Sequence, residues 1–101
     1  MNSYKHIEEM EKILNNHKKI LEDFNKNLEI FKKSQEDYKK LSDYYSSNKY
    51  FEDLEDDEKG LIDEKIPRGV LSEDAVFDLI GENYWTAVKM LEIATDIIKT
   101  N

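Results

Sequence analysis

The chain has 101 residues, 39% of them hydrophobic and 38% charged, with a formal net charge of −8. That length suits one domain with a thin core, and that balance suits helices with one buried stripe better than a thick globular interior. The absence of cysteine excludes disulfides, thiol catalysis and cysteine-ligated metal centres, and the acidity disfavours direct binding to nucleic-acid phosphates.

The opening run Met1-Asn2-Ser3-Tyr4-Lys5-His6-Ile7-Glu8-Glu9 is interrupted by charge at once, so it does not read as a signal peptide. No stretch reaches the roughly 18–20 apolar residues of a membrane span. Cytoplasmic residence, with no membrane partner, is the expectation. From Ser3 to Ser47 there is neither Gly nor Pro. Ile7, Met10, Leu14, Leu21, Phe24, Leu28, Phe31, Tyr38 and Tyr45 fall on a seam whose gaps alternate three and four, with His17, Gln35 and Ser42 in the remaining places. This is a heptad seam, and the spacing predicts a long helix over 3–47 with coiled-coil-like packing. Ile13, Ile20, Leu41 and Tyr44 widen the stripe. Residues 1–48 carry nine basic and nine acidic side chains, so this helix is electrically balanced.

Ser46-Ser47-Asn48 ends or weakens it. An acidic connector over 48–71 follows. Tyr50, Phe51 and Leu54 are spaced for a short helical turn, which Gly60 would close. Residues 49–74 hold ten acids and four bases, so most of the negative charge gathers here. Ile66-Pro67-Arg68-Gly69 reads as a turn. Ser72 reads as an N-cap, with Glu73 and Asp74 placed to favour the helix dipole. A second long helix is expected over 72–99, with the seam Phe77, Ile80, Tyr84, Val88, Leu91, Thr95, Ile98 and with Val76, Trp85, Ala87 and Ala94 alongside. Gly81 within it costs about 1 kcal/mol relative to Ala.

The fold expected is all-α: a single helical domain over 1–101, arranged as a long antiparallel hairpin or a three-helix bundle. At about 1.5 Å per residue the first helix spans roughly 65 Å and the last roughly 40 Å. Folded back from Tyr45, the last helix runs out near Lys18 or Leu21. Ile7, Met10 and Leu14 then need another cover. Either the first helix breaks, near Asn15-Asn16 or Asn25-Lys26-Asn27, or two chains pair as a homodimer through Ile7, Met10 and Leu14. The homodimer is the expectation.

Asp53, Glu55, Asp57 and Glu64 occupy ligand-like positions of a twelve-residue calcium loop. Glu58 stands where the sharp turn needs glycine, so a solvated connector is the better reading. His6 and His17 lie eleven residues apart with no third ligand at helical spacing. His17 reads as a polar seam position that sets register. There is no Gly-x-Ser-x-Gly, no phosphate-cradling loop and no His-Glu-x-x-His. No catalytic, metal or cofactor site is expected, and the chain reads as no enzyme. Tyr38, Tyr44, Tyr45, Tyr50, Phe51, Phe77, Tyr84 and Trp85 are aromatics placed to gather where the first helix ends and the last begins. Aromatics among acids suit a protein-binding surface. Tyr44, Tyr45, Tyr50, Phe51, Arg68 and Trp85 are the candidate partner-binding residues. The competing reading is that the rings seal the bundle end while Arg68 pairs with connector carboxylates.

The run Arg68-Gly69-Val70-Leu71-Ser72-Glu73-Asp74-Ala75-Val76-Phe77-Asp78-Leu79-Ile80, with Tyr44-Tyr45 and Tyr50-Phe51-Glu52-Asp53 upstream, resembles a bacterial family known as domain of unknown function forty-two ninety-eight. Gly81 departs from the helix-forming residue expected there. The resemblance implies a small helical bacterial protein, and no activity, cofactor or catalytic residue comes with it. Two functions are weighed. The first is a non-enzymatic protein–protein interaction module. The alternative is an acidic inhibitor of a nucleic-acid-binding bacterial protein, of the anti-CRISPR or DNA-mimic type.

Overall fold

The computed structural model describes residues 3–100; Met1, Asn2 and Asn101, the ends of the expected 1–101 domain, lie outside the described residues. The all-α expectation holds. The elements are α1 (Lys5–Tyr45), α2 (Asn48–Glu58), a 3-10 turn (Gly69–Leu71) and α3 (Ala75–Thr100), with no strand among the described residues. None of the helices is long and apolar enough to cross a membrane. The chain divides into two compact units, Met1–Tyr38 and Lys39–Asn101.

The first unit contains most of α1, and no α1 residue is buried. The helix runs unbroken through Asn15-Asn16 and Asn25-Lys26-Asn27, where a break was one expectation. Two asparagines support the ladder: the Asn25 and Asn27 amides donate to the carbonyls of Leu21 and Asp23, at 2.9 and 3.1 Å. Lys19 and Asp23 add an ion pair at 3.1 Å one turn apart.

The second unit begins with the last two turns of α1. Ser47 separates α1 from α2 and serves both. Its hydroxyl donates to the Tyr44 carbonyl at 2.6 Å and accepts from the Tyr50 N–H at 3.3 Å, as the N-cap of α2. At the other end of α2, Gly60 has φ 71°. The Gly60 and Leu61 N–H groups donate to the carbonyls of Asp57 and Asp56. This is a Schellman closure, at the glycine the sequence marks for it. Asp63 then orders the following turn by accepting from the Lys65 and Ile66 N–H groups.

The 3-10 turn packs against both α2 and α3. Its formation changes the role of Ser72. That side chain was expected to cap the last helix, but it donates to the Gly69 carbonyl at 2.7 Å. Ser72 stands at the end of the 3-10 turn, where its N–H and its hydroxyl both reach the Gly69 carbonyl, so it closes that turn and lies ahead of the start of α3. α3 starts at Ala75, with its first bond from the Asp78 N–H to the Asp74 carbonyl. Tyr50 and Val76, 6% and 3% exposed, are the buried apolar residues of this unit.

Candidate partner-binding surface

The end of α1 and the start of α2 bring four of the six candidate residues together. Tyr50 is the centre. Its ring meets Tyr44, Tyr45 and Phe51 edge-on, with centroids 5.5, 5.0 and 6.0 Å away. The Ser47 corner produces this arrangement, because it turns the first rung of α2 back toward the last turn of α1. Tyr44 and Tyr45 are half-buried, whereas Phe51 keeps its ring exposed.

One carboxylate locks the corner. The Tyr44 hydroxyl donates to Asp53 Oδ2 at 2.6 Å, and Lys49 Nζ lies 3.5 Å from Asp53 Oδ1. The Tyr44 phenol is pushed up from 10.0 to about 12. The hydrogen bond to Asp53 is the main cause; partial burial and the Asp53 charge add to it. The sequence reading placed Asp53 only among the cation-loop acids; its bond to Tyr44 follows from the fold at the Ser47 corner.

Arg68 is engaged as well. Its guanidinium donates to Asp57 Oδ1 at 2.7 Å and ties the segment before the 3-10 turn to α2. Trp85 makes a second ring pair, edge-on with Tyr84 at 5.4 Å. Among the described residues no ring contact joins this pair to the Tyr50 cluster. Asp53, Glu55 and Asp57, read as positions of a cation loop, lie on α2 instead, with Asp53 and Asp57 committed to Tyr44 and Arg68. Among the described residues no three His, Asp or Glu groups converge as a metal site.

An exposed apolar line of the second unit is on α3. Phe77, Tyr84, Leu91 and Ile98 are seven residues apart, hence on one face, and are 66, 63, 68 and 74% exposed. Trp85 stands beside them and is also exposed. Sequence reasoning placed these residues on a seam and missed that they face outward. Between them, Val88, Leu91, Glu92, Thr95 and Asp96 line a shallow groove.

No curated protein matches the chain. A family description matches residues 7–93, which is most of the sequence. The chain belongs to the family described as Domain of unknown function (DUF4298).

Proposed function

We propose that the chain is a non-enzymatic protein–protein interaction module that receives an amphipathic helix on α3. The observation that carries this is the exposed line Phe77, Tyr84, Leu91, Ile98. Solvent exposure of so continuous a stripe is unfavourable, and covering it releases water from apolar surface. Val88, Leu91, Glu92 and Thr95 have the i, i+3, i+4, i+7 spacing of a hole that accepts a side-chain knob. Asp78, Glu82, Glu92 and Asp96 outnumber Lys89 and Lys99 on α3. The fitting partner helix therefore carries Lys or Arg beside its apolar stripe. Phe51 keeps an exposed ring on α2, while Tyr44, Tyr45, Tyr50 and Arg68 hold the scaffold.

The test is capture on immobilised protein, with the wild type beside Leu91→Glu, after both give the same helical circular dichroism. A partner that withstands about 0.5 M salt and is lost with Leu91→Glu supports the reading. Capture indifferent to Leu91→Glu overturns it.

A second reading rests on α2. Glu52, Glu55, Asp56 and Glu58 are exposed on a regular helix anchored at its middle by Tyr44–Asp53 and near its end by Arg68–Asp57. Fixed carboxylates suit mimicry of nucleic acid, as in an anti-CRISPR inhibitor. In the same experiment its signature is a basic, nucleic-acid-binding protein released as salt rises.

A further inference from the structure

The amino-terminal half of α1 presents a separate surface. Ile7, Met10, Ile13, Leu14, Ile20, Leu21 and Phe24 are all between 48% and 59% exposed. At Leu28 and Phe31 the seam becomes half-buried. The exposed stripe thus ends at Phe24, and its unbroken helix removes a chain break as a way to cover it.

We propose that residues 7–24 of α1 pair with the same residues of a second copy as an antiparallel coiled coil, about a twofold axis between Asn15 and Asn16. The inference is independent of the α3 reading. In heptad terms Ile7, Leu14 and Leu21 are a positions, and Met10, His17 and Phe24 are d positions. Antiparallel helices pair a with d. About this axis Ile7 faces Phe24, Met10 faces Leu21 and Leu14 faces His17 of the second copy, each pairing repeated by symmetry. Every exposed seam residue then has a partner, and none is left over.

The flanks select this register. Ile13 and Ile20, the residues that widen the stripe, face each other across the two copies on one side. Glu11 and Lys18 face each other on the opposite side, giving an attractive pair twice. Shifting the axis one half-heptad toward the amino terminus sets Glu11 against Glu11, and the opposite shift sets Lys18 against Lys18. A larger shift toward the carboxyl terminus places Ile13 and Ile20 opposite Ser34 and Asn27. A parallel pair places Ile13 against Lys18 and Ile20 against Asn25, apolar against polar. The surface also holds the matching hole. Ile13, Leu14, His17, Lys18 and Leu21 line a groove. In this register it receives Leu14 of the second copy.

The test uses the full chain. Light scattering between about 1 and about 200 µM is expected to show twice the 12.0 kDa chain mass. A monomer throughout overturns the proposal. Glu11→Lys and Lys18→Glu, taken singly, are each expected to weaken dimerisation about tenfold, and the double swap to restore it. Glu11 and Lys18 are seven apart on their own helix and do not pair within one chain, so rescue reads contact between copies. Because the chain lacks cysteine, Ile13→Cys and Ile20→Cys chains can be mixed and oxidised. The 13–20 crosslink is expected; a 13–13 crosslink, or failed rescue in a folded double swap, overturns the antiparallel register.

Discussion

Tyr44 donates its hydroxyl to Asp53 Oδ2 at 2.6 Å, across the corner between α1 and α2. The carboxylate is also near Lys49, so one acid joins the last turn of one helix to the first turns of the next. A part-exposed hydrogen bond to a charged acceptor contributes about 1 kcal/mol. Tyr44→Phe is expected to destabilise the protein by about that amount, and Asp53→Asn by a similar amount. The double variant should cost less than the sum, because each single change already breaks the bond. Urea denaturation of the four proteins checks this, and strict additivity would refute it.

The same bond sets a pH response. The Tyr44 phenol rises from 10.0 to about 12 in the folded chain, so folding favours its protonated form. The resulting stabilisation is fully present below pH 10. It declines as pH rises from 10 toward 12 and is lost beyond. Denaturation at about pH 9 and about pH 11.5 should show the wild type losing more stability than Tyr44→Phe. Equal losses would separate the titration from this bond.

Ser47 has two tasks at the corner, one as an acceptor and one as a donor. Ser47→Ala removes both and is expected to cost about 1 kcal/mol or slightly more. Ser47→Asp keeps an acceptor for the Tyr50 N–H but has no donor for the Tyr44 carbonyl. It should fall between wild type and Ala in thermal melting. Aspartate performing no better than Ala would show that the donated bond dominates.

Two glycines should respond to alanine with opposite sign. Neither Gly60 nor Gly81 has a heavy atom within 4 Å of an added Cβ, so backbone conformation decides. Gly60 sits at φ 71°, and Gly60→Ala is expected to destabilise by about 1 kcal/mol. Gly81 lies within α3, where Gly81→Ala should stabilise by about the same amount. Melting curves of both variants decide it, and a destabilised Gly81→Ala would point to a packing role for that position.

The sequence alone determined the features that depend on neighbours one turn away. The Gly- and Pro-free run and its heptad spacing predict a long first helix, and α1 occupies Lys5–Tyr45. Ser46-Ser47 and Gly60 bound the short second helix because caps and left-handed glycines act on adjacent backbone groups. The pairings over longer separations were decided only by the tertiary structure. Ten acids crowd residues 49–74, and nothing local distinguishes Asp53 or Asp57 from the rest. The Ser47 corner brings Tyr44 to Asp53, and the path from Gly60 to Arg68 brings Arg68 to Asp57. The same dependence explains Ser72, whose hydroxyl turns to Gly69 once the 3-10 turn closes, and the outward face of α3. Periodicity reports which residues share a face, but packing decides whether that face is covered.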